Sequence, residues 1–459
     1  MPDNPTNDQR LPGRALPPGT GVVVALMFAV ASTSSAAAQG EDGDRITSSD
    51  YTIDLYKGTV HGSARMVGLG GAFVAIGEGV DGNLVNAATA ALRPGYSVDH
   101  FDYWLGFALT SPFSVGDAFN TGGFASEGGF DQSGFHYLAP SVNLQWGPFG
   151  VGLTFELTEA SMNSSGRAAS GIDDSNLRVQ MMTARLQTAY QLIDDQFMVG
   201  VGAIFVVQRI LGGQGLLEQQ ELFVTDGFSF EVGAIYRPNE EHYRLGASFE
   251  GQVDTSRNGD DVIAEGFYLP RGIYKPWELR FGGAYQFGVA LNRVWRDVDA
   301  VVHDEVGDLW DSMSDDARAL YTRETWRRLR REYRAQPRHY LLTTVALHLI
   351  GQADAGVSVE SFLVQRVQRS GGDVSFSVRW GLETDLIPNW VAIRYGNYIE
   401  PSRVAQTNPR FHYTFGVDVK LGWWDVFGIW SEDYLWRLGL SADIARSYAV
   451  WSLGIGGWY

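Results

Sequence analysis

The sequence predicts an all-β protein: a 14-stranded antiparallel transmembrane β-barrel with an N-terminal hatch and a helical insert on the periplasmic side. Three observations predict it. Segment after segment alternates apolar with small or polar residues at period two, and aromatic residues gather at the segment ends. Such segments number fourteen, an even count, with connections alternating between tight turns and long polar loops. The last of them places Ala449, Trp451, Leu453, Ile455 and Tyr459 on one face and Ser452, Gly454 and Gly456 on the other. A soluble protein that ended this way would expose a sticky edge, whereas a barrel closes its last strand on its first.

The beginning of the chain agrees with this ending. Arg10 and Arg14 precede the apolar run 22–31, and Ala36, Ala37 and Ala38 precede Gln39. A basic region, a short apolar core and an A-x-A site make 1–38 a secretory signal peptide. The core is shorter than the ~20 residues of a membrane helix, and no Cys follows to carry a lipid; a retained anchor is the bland alternative. The chain has no Cys and a net charge of -18. An exported protein without disulfides is held by backbone hydrogen bonds and packing, and its acidity argues against nucleic acid as a partner. No later segment is continuously apolar for the length of a membrane helix. The 55 Gly, 14 Trp, 20 Tyr and 25 Phe suit a barrel, whose strands show only half their residues to lipid.

The strands are expected at 97–110, 134–146, 149–161, 176–192, 196–210, 222–236, 242–255, 276–288, 338–350, 373–386, 389–401, 410–424, 433–445 and 448–459. In the first, Phe101, Tyr103, Leu105, Phe107 and Leu109 oppose Asp102, Trp104, Gly106 and Ala108; in the third, Phe149, Val151, Leu153, Phe155 and Leu157 oppose Gly150, Gly152, Thr154 and Glu156. Turns such as Gly147-Pro148 and Pro388-Asn389 belong on the periplasmic side, and loops such as 111–133, 162–175 and 256–275 outside. Residues 351–372 could add a strand, but that would break the parity, so they read as an outer loop with local order. The sequence thus divides into a signal peptide (1–38), a hatch or plug (39–95), barrel strands 1–8 (96–288), a charged helical insert (289–337) and barrel strands 9–14 (338–459).

The insert does not alternate. Ser314 before Asp315 and Asp316 is a helix start, Leu320, Trp326, Leu329 and Tyr333 recur near helical spacing, and Pro337 marks a stop. Residues 317–338 hold eight Arg and 289–316 hold eight acids. Either two helices pair these charges across the barrel mouth, or an Arg face docks on lipid phosphates or on a periplasmic partner through 295–335.

Residues 39–95 are small, Gly-rich and apolar around Arg65, Gly68, Gly70, Gly71 and Phe73, and continue through Asp81 to Asn86, Ala87 and Ala88. Small residues allow close backbone packing in a confined space, which suggests a plug in the lumen. The Gly68-x-Gly70-Gly71 cluster is a poor phosphate loop, lacking the third spaced glycine and a Lys-Ser/Thr ending.

The run from Ala64 to Ala75, then Asp81 and Asn86-Ala87-Ala88, resembles the hatch of the FadL/TodX family of outer-membrane transporters of long-chain fatty acids and other hydrophobic compounds. The strand Trp277-Glu278-Leu279-Arg280-Phe281 resembles one of theirs. Ala87 stands where the family has Pro, and the 289–337 insert is outside the common pattern. The resemblance implies capture of an apolar cargo at the outer loops, an apolar pocket above the hatch, a hatch shift, and exit sideways into the membrane or down to the periplasm, with no cofactor and no metal. It also implies outer-membrane lipid and lipopolysaccharide as surroundings.

An apolar outer entrance is met by Phe113, Phe119, Phe124 and Phe130, with Phe135, and by Phe267, Tyr268, Leu269, Ile273 and Tyr274; these aromatics could equally pack the loops on one another. Arg257, Arg271 and Lys275 could meet a carboxylate head group. His100, His136, His339, His348 and His412 form no paired metal spacing and no nucleophile-elbow motif is present, so the chain does not read as an enzyme. The alternative of another class is a PorV-like barrel that serves as a protein-interaction or secretion-associated partner and moves no small molecule.

Overall fold

The computed structural model describes residues 41–93, 97–122, 130–164, 175–193, 195–214, 220–257, 259, 262–293, 295, 297–335, 339–353, 355–405, 407–422 and 435–457. The expected signal peptide, Phe124 and the terminal Tyr459 lie outside them.

Fourteen strands form the wall: β1 (Phe101–Val115), β2 (Phe130–Trp146), β3 (Phe149–Ser164), β4 (Ser175–Leu192), β5 (Phe197–Gln214), β6 (Gln220–Tyr236), β7 (Tyr243–Glu250), β8 (Glu278–Gly288), β9 (Tyr340–Ile350), β10 (Ser375–Ile387), β11 (Val391–Glu400), β12 (Arg410–Gly422), β13 (Trp436–Ala445) and β14 (Tyr448–Gly457). Each pairs antiparallel with its sequence neighbours, and β14 pairs with β1 from Phe107↔Ile455 to Val115↔Tyr448. The ring is closed and has no edge. Every segment expected from the alternation is present, with ends moved by a few residues. β1 is shifted most, starting at Phe101 rather than 97.

The alternation becomes an outside and an inside. Phe155, Val201, Phe205, Phe230, Phe281, Phe376 and Phe415 are exposed on the outer wall, while Thr154, Ile204, Glu231, Arg280, Ser377 and Thr414 from the same strands are buried. At the short-turn end, aromatic residues meet: Phe101 lies 5.0 Å from Trp146, Tyr236 6.4 Å from Tyr243 and Tyr285 4.8 Å from Phe287. An apolar outer band with interfacial aromatics is the surface of a membrane-spanning barrel.

The lumen is filled by residues 41–93. A short strand, Thr52–Asp54, runs parallel between Gly272–Lys275 and Gly356–Val357 at the long-loop end. Helices α1 (Ala64–Gly68) and α2 (Gly79–Gly82) and a 3-10 turn, Ala87–Ala91, pack nearer the short turns. Room for them comes from inward glycines. A Cβ on Gly150 would strike the carbonyl of Ala90, one on Gly200 that of Ala87, and one on Gly246 that of Val74.

Three further helices, α3 (Val298–Val306), α4 (Leu309–Ser312) and α5 (Asp315–Ala335), follow β8 at the short-turn end. Residues 351–372 hold a two-residue strand and helix α6 (Val359–Val364) rather than a fifteenth wall strand. One connection at each end departs from the expected rule. β13 and β14 are joined at the long-loop end by a tight turn, whereas 423–435 connect β12 to β13 at the short-turn end.

Replacing Gly200 with Val should cost about 1–3 kcal/mol through overpacking. The unheated folded band on SDS gels should then be lost at lower temperature, while the outward substitution Val201→Ile leaves the transition unchanged.

Candidate functional site

The lumen is layered along its axis. In the lowest layer, near the short turns, α1 begins at Ser63, whose hydroxyl accepts from Met66 N at 3.2 Å. α1 is followed by Gly70 and Gly71, with φ of 62° and 71°. That conformation favours glycine, and it lets Gly70 press on the backbone of Asn397. Arg65 forms a bidentate pair with Glu383 (2.8 and 2.9 Å), and its guanidinium carbon lies 5.7 Å from the Phe73 ring. Asn86 Oδ1 accepts from Ala88 N at 3.0 Å, capping the 3-10 turn, and its amide donates to Val74 O at 2.9 Å and to Ala234 O of β6 at 3.2 Å. Ala87 is the first residue of that turn, the position where proline is tolerated. Its rigidity is supplied instead by Asn86 and by the contact with Gly200. Gly68 rests on Gly416 of β12, and Phe73 and Ala88 are fully buried.

The middle layer is charged. Glu250 accepts from Arg185 and Arg280 (3.2 and 3.1 Å) and from Lys275, and Arg185 also donates to Glu156 at 2.8 Å and Glu231 at 3.3 Å. Lys57, from the hatch, enters beside this cluster and donates to Thr158 at 2.7 Å. Burial pushes its ammonium down to about 7. Glu156 pulls the other way, and the nearby Lys275 and Arg185 add to the fall.

The upper layer, toward the long loops, is apolar. Met162, Leu177, Val179, Met181, Ile204, Val206, Ile210 and Phe223 project from β3–β6 into the lumen. They pack against Ile46, Tyr51, Ile53 and Leu55 of the hatch, against Phe267, Leu269 and Ile273, and against Val359, Phe362 and Leu363 of α6. Phe362 stacks on Phe267 with centroids 5.3 Å apart and meets Phe223 edge-on at 5.7 Å.

The expected entrance residues separate. Phe267 is fully buried in this compartment, and Phe119 and Tyr268 pack against it half-buried. Tyr268 is held by backbone bonds, its N–H donating to Gln365 Oε1 (2.8 Å) and its carbonyl accepting from Tyr51 OH (2.6 Å). Tyr274 belongs to the small mixed sheet, parallel to Asp54 and antiparallel to Asp254, and donates to Gln252 Oε1 at 3.0 Å. Arg271 is exposed, with its N–H on Tyr51 O. Phe113 is 68% exposed at the long-loop end of β1 and Phe130 begins β2. Phe135 faces a separate cluster and stacks on His61 at 4.6 Å. The wall residues of the compartment were not singled out from sequence. Their signal was available in 203–207, where Ala, Ile, Phe, Val and Val run without alternation, so the lumen face is apolar as well as the lipid face.

The insert closes on the rim and on itself. Arg328 bonds Glu305 at 2.5 Å, Tyr321 donates to Glu305 at 3.1 Å, Arg330 reaches Asp99 at 3.2 Å, and His100 pairs with Asp297 at 2.8 Å.

Several solved structures are similar. A Pseudomonas aeruginosa FadL homologue matches at 11% identity over 89% of this chain and 99% of its own, with a TM-score of 0.48. The Pseudomonas putida toluene transporter TodX matches at 12% identity over 90% and 98%, with a TM-score of 0.49. The CymD monoaromatic hydrocarbon channel matches at 11% identity over 87% and 96%, with a TM-score of 0.47. No family model matches the chain, and no curated protein matches it. The barrel assignment stands on the strand pairing of the chain itself.

Between pH ~7 and ~10.4 the unfolded chain keeps Lys57 protonated while the folded chain has released that proton. This residue's contribution to stability therefore rises with pH across the window and is lowest below it. Lys57→Met should raise the thermal midpoint at pH 6–7, and its advantage over the parent should shrink toward pH 10.

Proposed function

We propose that the chain is a passive conduit of the bacterial outer membrane for hydrophobic small molecules, long-chain fatty acids among them. The observation that carries this reading is the apolar upper compartment. A water-filled pore is lined by polar side chains, whereas here the inward faces of β3–β6 above the charged layer are mainly Met, Leu, Ile, Val and Phe, and the polar Gln208 and Thr225 among them bond to each other at 3.2 Å. Such a lining binds apolar surface at roughly 25 cal/mol per Å² removed from water. The compartment is filled by the chain's own Phe267, Leu269, Ile273 and Phe362, so an entering cargo displaces side chains of the same character. No catalysis and no energy source is required when consumption inside maintains the gradient.

A sideways exit is supported by a lapse in the wall. Leu138 pairs with Leu157 and Ser141 with Thr154, but Ala139 and Pro140 have no ladder partners on β3. Proline lacks the N–H that the ladder needs. On the lumen side of this lapse is a small cavity of about 20 Å³ lined by Ser63, Val80, Asp81, Leu84, Ala108 and Ala139. A second reading, a PorV-like barrel docking a periplasmic protein through 295–335, is favoured by Arg323, Arg327 and Arg331, exposed at successive i, i+4 positions of α5.

The two readings part on uptake. Cells lacking the protein should take up labelled oleate or labelled toluene several-fold more slowly, and the parent chain should restore the rate. Pro140→Ala, which returns a donor to the ladder, should restore it only in part. Unchanged uptake of both compounds in the deletion strain would remove the conduit reading and leave the docking one.

A further inference from the structure

At the short-turn end, beneath the start of the insert, lies a cavity of about 150 Å³ that neither the apolar compartment nor the wall lapse uses. Its lining carries seven guanidinium groups against four carboxylates, those of Glu78, Glu383, Asp385 and Asp418. Most of the arginines are met by acids. Arg65 and Arg394 share Glu383, Arg394 and Arg437 share Asp418, Arg244 bonds Glu78 at 2.6 Å, and Arg93 lies 3.6 Å from Asp102.

Arg237 and Arg293 differ. Arg237 is buried and donates to two backbone carbonyls, Asp195 O at 3.1 Å and Arg293 O at 3.0 Å. Burial, with Arg244 beside it, pushes its pKa down to about 10 against the opposite pull of Glu78 and Asp195. Arg293, from the insert, lies under the Tyr333 ring of α5 (4.8 Å), and its Nη1 is buried without a hydrogen-bond partner. Arg293 as a whole is half-buried; a buried guanidinium N–H left without an acceptor is costly, and an oxyanion with two or three acceptor oxygens removes that cost in the geometry arginine favours.

We propose that this cavity is a binding site for an oxyanion, a carboxylate or a phosphate, held by Arg237 and Arg293 and roofed by the insert. The site does not depend on the conduit reading. The insert supplies Arg293 and Tyr333 to it, which gives 289–337 a role beyond pairing its own charges.

The test is calorimetric titration of the full chain in a neutral detergent and low-chloride buffer. The probes are inorganic phosphate, octanoate and, as a neutral control, octanol. The site predicts saturable binding of phosphate, octanoate or both, weakened at least about tenfold (1.4 kcal/mol) by Arg293→Gln and unaffected by Arg331→Gln, an equal loss of charge on an exposed position of α5. Binding of octanoate without phosphate assigns the site to the head group of an acyl chain. Phosphate alone, or both equally, assigns it to a free anion or a lipid phosphate. Arg293→Lys keeps the charge without the fork and should recover only part of the affinity. No binding of either anion, or binding that Arg293→Gln leaves intact, overturns the proposal. A failure here with oleate uptake intact would leave the conduit standing.

Discussion

The hatch is irregular backbone buried inside a closed wall, and its carbonyl groups must find donors there. Much of the structure follows from that need. Asn143 and Gln145 of β2 both donate to Ala90 O (3.0 and 2.8 Å), Gln191 and Gln187 of β4 to Ala91 O and Asn83 O (2.5 Å each), Ser248 of β7 to Val85 O (2.7 Å) and Thr344 of β9 to Ala72 O (2.7 Å). Beside these donors stand glycines that let the two backbones approach. Amide side chains on β2 and β4 flank Gly150 and Gly152 on β3, and Ser248 follows Gly246 on β7. The inner face of the wall is thus a mould of donors and gaps matched to one plug. A lipid-facing residue has no such partner, which is why the outer face is free to be uniformly apolar and aromatic.

This division explains what could be read from the chain. The outer face was legible because lipid imposes one requirement on every second residue, and the repetition survives bulges such as that between Pro112 and Ser114. Gly68, Gly70, Gly71 and Asn86 were legible as a compact small-residue run needing a confined place. What they touch was not, because Gly416 and Gly233 lie far along the sequence and are by themselves ordinary small members of the inner set, and Asn397, an outward-facing residue, is met only through its backbone. The upper compartment was hidden for a related reason. It is assembled from 46–55, 267–273 and 357–367, and no local pattern announces that three separated segments share one core. Phe267, placed at an open entrance by its loop position, turns out to be core because Phe362 stacks on it.

Ion pairs spread along the plug bear on which part of it could yield. Plug and wall are joined by ion pairs between Arg65 and Glu383, Glu78 and Arg244, and Asp81 and Arg437, and Asp54 pairs with Arg403 of the loop between β11 and β12. Breaking a buried pair strands a charge and costs several kcal/mol. Expelling the plug as a body would break all four together, a cost comparable to the ~5–15 kcal/mol that stabilises an ordinary domain. A local shift avoids this. Between Arg65 and Glu78 the chain has no charged side chain, and Leu69, Ala72, Val74, Ala75 and Ile76 are held by apolar packing. The Ala72 and Val74 carbonyls there are held by Thr344 and Asn86. Apolar contacts can slide and re-form without exposing charge, so the stretch 69–77, pinned at both ends, is the part of the plug best able to yield. Asp81 and Val80, just beyond its second pin, line the small cavity behind Ala139. A displacement of 69–77 would therefore be felt next to the place where the ladder between β2 and β3 lapses.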